Sequence, residues 1–287
     1  MSLDPSVTVG QVRTVWRYPV KSMLGEEVGV IDIGEGGLEG DRRFGVVDAE
    51  TAKVVSAKQP RYWRRMLELR AEVVAAGTVR IHFPDGRAVL SGDAFVDKLL
   101  SEFLGRQVVL RDRAPAGAEL ERAVPEEVLE RGREADVDYT MLEIAAGSPA
   151  GTFFDFSPLQ LITSASLDRA AGLHPSGRLD PVRYRPNVIV ETPAGSSGFI
   201  ENDWVGRRLH LGPEVVLEVL VPSPRCAIPT LRHGDLPPDP NAFRIPRQHN
   251  FLPIPLEGFG SAPCLGVHAG VVRAGRVSPG DEVRLGD

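Results

Sequence analysis

Cys226 stands in "VPSPRCAIPT" (221–230), between prolines and directly after Arg225, and is one of only two cysteines in 287 residues. A free cysteine is most often a small buried hydrophobe, but this context allows other uses. Pro222, Pro224 and Pro229 restrict the backbone and remove amide donors, so the segment reads as a stiff loop rather than a continuing central strand. Arg225 favours thiolate over thiol if its side chain turns the same way, and a thiolate is either a nucleophile or a soft metal ligand. A nucleophile needs a base, for which His233 and His249 are candidates. Zinc would draw on Cys226, His233, His249, Cys264 or His268. Yet no CxxC occurs, and the spacings C-x6-H and C-x3-H are not those of paired structural ligands.

A second set of residues suits an anion. "TSAS" (163–166) falls at a strand-to-helix junction, where free amides and the helix dipole join the Thr163 and Ser164 hydroxyls. Ordinary capping explains the same residues. In "RYRPN" (183–187) an extended segment puts Arg183 and Arg185 on one side, Pro186 favours that form in Arg185, and Asn187 can donate and accept. "GDRRF" (40–44) and the Lys21–Ser22 pair of "YPVKS" add donors from the other end of the chain. Taken singly, each arginine reads as a solvated surface cation.

The elements that must position these residues are mainly strands. Patchy alternation over 7–20 predicts a strand ending at Pro19, followed by strands in "EEVGVIDIG" and a strand pair in "RFGVVDAETAKVVSA" turning at 48–51. "VRIHFPDGRAVLS" (79–91) predicts a hairpin. Phe95, Leu99 and Phe103 predict a helix over 93–104, capped by Asp93 and stopped by Gly105. Residues 111–152 are polar and charge-rich, with a short helix from Pro125 and no other periodicity, which predicts a boundary or a mobile excursion. Then "PLQLITSASLDRAAGL" (158–173) predicts a strand feeding a helix, and "NVIVE", "RLHLG", "VVLEVLVP", "CLGVHAGVV" and "DEVRLG" predict later strands.

Composition sets the outer limits. A length of 287 residues allows one large or two modest domains, and 24 Pro with 30 Gly favours turns and short strands over a bundle. A net charge of −6 argues against general nucleic-acid binding. The 33 cations comprise 29 Arg and 4 Lys, a compositional bias or a choice of bidentate anion holders. Neither a signal peptide nor an apolar span is evident, and two cysteines make no disulfide framework, so a reducing cytoplasm is expected.

In combination the motifs are far more specific. "RYPVKSMLGEEV" with "GLEGDRRFGVVD" resembles the β-barrel domain that precedes MOSC domains, and "RYRPNVIVE", "FIENDWVGRRLHLG", "VPSPRCAIPT" and "GRVSPGDEVRLG" resemble the MOSC domain itself. The resemblance implies a mainly β fold with some α: an N-terminal barrel over 7–110, a connecting excursion over 111–150 and a MOSC domain over 151–287. It also implies a molybdenum cofactor (molybdopterin), with Cys226 as metal ligand and catalytic centre and Arg225 beside it. Lys21, Ser22 and Arg42 would meet the cofactor from the first domain, with Arg43 as substitute for Arg42. Thr163, Ser164, Arg185 and Asn187 would meet it from the second. The implied activity is reduction of small N-oxygenated molecules such as hydroxylamines and amidoximes. No ferredoxin-like cysteine cluster follows, so a separate reductase or ferredoxin-like protein would donate electrons; neither nucleic acid nor membrane is expected as partner. The alternative is a non-catalytic cofactor or sulfur carrier with Cys226 as a persulfide, and pyridoxal phosphate is a further cofactor to consider. The chain departs from the family pattern around Cys226: Pro224 replaces a small polar residue, and in the following loop Asp235 is the nearest candidate for an acid that orients a metal-bound water.

Overall fold

A computed structural model describes residues 7–145, 147–256 and 260–286. Seven strands close a barrel in the hydrogen-bonded order 159–163, 188–191, 7–17, 282–286, 208–211, 215–224 and 261–273, the last returning to pair with the first. β-branched and leucine side chains alternate inward along these strands, so Val12, Val15, Leu161, Val188, Leu209, Leu217, Val267 and Val283 share one buried core. The chain's first strand, Val7–Arg17, is inserted between 188–191 and 282–286, although all its barrel partners lie in the second half of the sequence. Leu159–Thr163 and Val188–Glu191 run parallel, and the helix Ser164–Leu173 makes the crossover that a parallel pair requires. The pairing of Val215–Pro224 with Ser261–Arg273 shifts register three times, the last between Pro222 and Pro224. Bulges of this kind add local bend and twist, while Pro224 stays paired with Cys264 and the Arg225 amide donates to Pro263 O just before Cys226.

A second core lies beside the barrel. Gly45–Asp48 pairs with Val108–Arg111, and Arg70–Ala75, Thr78–His82 and Ala88–Leu90 form a three-stranded sheet. Val20, Met23, Phe44, Met66, Leu69, Ile81, Leu100 and Phe103 pack between them. The mainly β expectation and the 79–91 hairpin hold. Several details differ. "EEVGVIDIG" breaks into Glu26–Val28, on the first strand, and Ile31–Gly34, which pairs with Gly275–Val277. Residues 53–57 pair back only as an isolated antiparallel bridge, Val47 with Val54, held by Asp48 N–H to Lys53 O and Val55 N–H to Val46 O, because the Val54 amide donates instead to Glu119 O. The helix runs Val96–Leu104 and ends on left-handed Gly105 as expected, but Asp93 does not cap it; its carboxylate accepts from the Leu90 amide.

The polar stretch after 111 is more ordered than its composition suggests. Glu119–Ala123 and Tyr139–Glu143 pair antiparallel, with the helix Pro125–Arg131 between them. Ala123 donates to Lys58 O and Arg122 to Arg225 O, which joins this hairpin to both other parts. Among the described residues, no helix is long and apolar enough to cross a membrane.

Candidate active site

A cavity of about 460 Å³ opens where the barrel, the second core and the 119–157 segment meet. Lys21, Ser22, Arg42 and Lys58 line it from the first part, Arg122, Leu142 and Phe153–Ser157 from the middle, and Gln160, Arg185, Asn187, Ser223, Cys226 and His268 from the barrel side. The volume and the mixed apolar and polar wall are those of a small-molecule or cofactor site.

The first-part side is assembled by backbone pairing of two short segments. Lys21 donates its amide to Phe44 O, Phe44 to Pro19 O, and Arg42 to Tyr18 O, so "YPVKS" and "GDRRF" lie side by side. Gly45 is required there, because a Cβ would collide with the Phe153 ring. Phe153 in turn offers its carbonyl to Lys21 Nζ at 2.8 Å. Lys21 Nζ also lies 2.6 Å from Asp155 Oδ1, and Lys58 Nζ lies 3.1 Å from the same oxygen. Burial lowers the Lys21 ammonium to about 8 against the opposing pull of Asp155. Burial alone would raise Asp155, but the two ammonium groups outweigh it and hold the carboxylate well below its ordinary value. One carboxylate, 43% exposed, thus serves two ammonium groups and leaves the wall cationic.

Three residues on the wall, Ser22 (φ 65°), Arg42 (φ 45°) and Arg185 (φ 56°), carry left-handed backbone without being glycine. Such conformations cost on the order of 1–3 kcal/mol each, persist only where the surroundings impose them, and cluster at functional sites. Here Ser22 Oγ accepts from the Ala57 amide. Arg42 and Arg185 both lie over the Tyr18 ring, at 4.5 and 4.4 Å. Buried Asp41 accepts from the Tyr18 amide at 2.6 Å, from Asn187 Nδ2 at 3.0 Å and from Arg42. Arg185 donates to Met23 O, and burial, with Arg42 adding repulsion, lowers its guanidinium to about 10, still a cation at neutral pH.

Cys226 reaches the cavity half-buried, packed beside Ala57, Leu67, Ile228 and Leu231. A sulfur on a cavity wall whose rim is cationic is the arrangement a soft-metal ligand beside an anionic group requires. Residues 149–284 match the MOSC domain, and residues 9–93 match the MOSC N-terminal beta barrel domain. This is a MOSC-domain protein. Across 96% of the chain and 83% of the relative's length it is 25% identical to "Mitochondrial amidoxime reducing component 2" of Rattus norvegicus. Among solved structures, the YUAD protein from Bacillus subtilis is 13% identical at TM-score 0.44, covering 99% of this chain and 98% of that one. YiiM from Geobacillus stearothermophilus is 15% identical at TM-score 0.31, covering 46% and 55%.

The MOSC protein brings Lys21, Ser22, Arg42, Arg185, Asn187, Arg225 and Cys226 to one cavity wall. Thr163 and Ser164 are not among them. Thr163 is the helix N-cap, accepting from the Ser166 amide and donating to buried Glu201, while Ser164 Oγ pairs with Thr192. Both hydroxyls are committed to the crossover, as ordinary capping implies. Arg43 turns away to Asp112 on the surface. Arg185 is left-handed rather than extended, since Pro181–Tyr184 forms a 3-10 turn that reverses the chain before Pro186. Arg225 turns inward to the Tyr184 and Leu265 carbonyls rather than towards the sulfur, and burial lowers its guanidinium to about 10.

The proposed bases do not reach Cys226. His233 is buried away from the cavity with Nδ1 on Leu231 O, and burial lowers it to about 3; His249 ends the helix Asn241–His249. Cys264 is fully buried and burial pushes its thiol up to about 12, as packing implies. Asp235 is exposed off the wall, and the carboxylates that line the cavity are Asp155 and the exposed Glu143. Asp155, Lys58, Gln160 and Ser223 were not foreseen as cavity residues, and His268 was considered only as a zinc ligand. The proximity of Ser223 to Cys226 in sequence was the signal for Ser223. No cluster of three or more metal-ligating side chains occurs among the described residues.

Proposed function

We propose that this MOSC protein binds a molybdenum cofactor in the cavity and reduces N-oxygenated small molecules such as hydroxylamines and amidoximes. The observation that carries the reading is the joint presence, on one wall, of a half-buried thiol and a cationic set drawn from distant segments. The rat relative's name, an amidoxime reducing component, supplies the substrate class.

The donor set fits the cofactor in kind. A phosphate-bearing tail calls for ammonium and guanidinium groups, which Lys21, Lys58 and Arg42 offer, and molybdenum calls for the thiolate that Cys226 would give. When bound, the group supplies two-electron redox chemistry at the metal. The chain's own residues do the rest. Lys21 and Lys58 neutralise charge, with Asp155 holding them in place until an anion competes for them. Asp41 keeps Arg42, Asn187 and the Tyr18 backbone in register by accepting from all three. Phe153, Phe154 and Phe156 supply apolar wall to the cavity. Electrons would come from a separate donor protein.

Cys226→Ala tests the assignment. In cofactor-loaded protein with an artificial electron donor, we expect reductase activity to fall at least about a hundredfold while the melting temperature stays near the parent's. Full activity in that variant overturns the assignment. A parent that carries persulfide and neither molybdenum nor activity would instead favour the sulfur carrier.

A further inference from the structure

His268 crosses the cavity wall between two serines. Its Nδ1 lies 3.0 Å from Ser157 Oγ and its Nε2 lies 3.1 Å from Ser223 Oγ. Ser157 Oγ also lies 3.0 Å from the Leu159 carbonyl, which can only accept. The Ser157 proton is therefore committed to that carbonyl, and Ser157 can only accept from the ring. Nδ1 must carry the ring proton. Burial, with Arg225 adding repulsion, lowers His268 to about 3, so the ring is neutral and Nε2 holds a lone pair. Ser223 must then donate to Nε2. The chain of bonds runs one way, from Ser223 through His268 and Ser157 to Leu159 O. Turning the Ser223 hydroxyl outward would leave a buried ring nitrogen without a partner, which is unfavourable.

We propose that Ser223 presents the cavity with an oxygen that can only accept, and that it reads an N–H or O–H donor on the substrate. His268 is the positioning residue that fixes this polarity. The proposal rests on the N-oxygenated substrate reading above and sharpens it. Hydroxylamines and amidoximes carry such a donor. Tertiary amine N-oxides carry only lone pairs, which would face the lone pairs of Ser223. A site whose buried partner is left unmatched discriminates far more strongly than one that loses only apolar contact.

The test has two arms. The first is ¹⁵N NMR of the histidine rings, with His268 assigned by its loss in His268→Gln. We expect a neutral Nδ1–H tautomer throughout pH 5–8, and an Nε2–H tautomer overturns the acceptor assignment. The second arm is kinetic, with molybdenum content measured for every variant. For benzamidoxime, Ser223→Ala should raise KM about tenfold with kcat within about twofold, and should leave KM for a tertiary amine N-oxide within about twofold. His268→Phe frees the hydroxyl to donate, so it should raise KM for benzamidoxime and lower it for the N-oxide, an inversion that general loosening would not produce. Equal losses on both substrates overturn the proposal, as does a fall in cofactor loading that accounts for the loss. A parent that reduces neither substrate overturns the functional reading alone. Titration of benzamidoxime against the His268 ring signals then decides: a shift absent in Ser223→Ala supports the acceptor assignment, and no shift overturns it.

Discussion

The two sides of the cavity use their cations in opposite ways. On the barrel side, Arg183 donates to the Pro229, Leu231 and Pro237 carbonyls and Arg225 to those of Tyr184 and Leu265, so both guanidinium groups tie backbone to backbone. On the first-part side, Lys21 and Lys58 share one partly exposed carboxylate. The first arrangement is a frame, because moving a buried guanidinium would strand several carbonyls. The second is a reservoir of positive charge that an incoming anion can take over. Net cationic lining is thus a poor guide to ligand contact until the partners of each group are counted.

That contrast breaks if stability and anion binding fail to separate. Arg225→Met should destabilise the chain by about 3 kcal/mol, because the buried carbonyls it serves lose their donor. Lys58→Met should cost under about 1 kcal/mol, as a partly exposed pair does, yet weaken pyrophosphate binding about tenfold. Urea unfolding and calorimetric titration measure the two effects on the same samples. Similar unfolding losses in both variants would erase the distinction.

A pH series sharpens the comparison. Lys21 titrates near 8 in the fold against an ordinary value of 10.5. Pyrophosphate affinity should therefore fall as pH rises through about 8. Between that value and 10.5 the folded chain binds fewer protons than the unfolded chain at this site, so Lys21 makes stability rise with pH there. Asp155→Asn removes the group that supports the charged form and should move the affinity midpoint downward. An unmoved midpoint would detach Lys21 from anion binding.

The smallest effect expected is at the crossover helix. Thr163→Ala should cost about 1 kcal/mol through loss of the cap and leave pyrophosphate affinity unchanged, since its hydroxyl is held between Ser166 and Glu201. Weaker binding in that variant would return Thr163 to the site.

Much of this was legible in the residues. Cys226, Lys21, Ser22, Arg42, Arg185 and Asn187 sit in motifs that are weak singly and that the MOSC resemblance implied as one site. Period-two patterning exposed most barrel strands. What escaped notice shares a physical cause. Glu119–Ala123 and Tyr139–Glu143 are half exposed, with a helix between them, so no apolar alternation marks them. Asp155 follows that stretch and looks like one more surface acid. The place of Val7–Arg17 in the barrel depends on partners more than 170 residues away, as in Gln11 against Glu191, and pairing at such range leaves no local signal. The left-handed backbone of Ser22, Arg42 and Arg185 is imposed by surroundings, whereas only glycine advertises it in sequence.

Metal and pterin content per chain, after expression in a host that makes the molybdenum cofactor, tests the central claim most directly. The account predicts near-stoichiometric molybdenum and pterin in the parent, loss of molybdenum in Cys226→Ala, and loss of both in a Lys21→Met, Lys58→Met double variant that still folds. A parent free of molybdenum and pterin under those conditions, or a double variant that loads as fully as the parent, would contradict it.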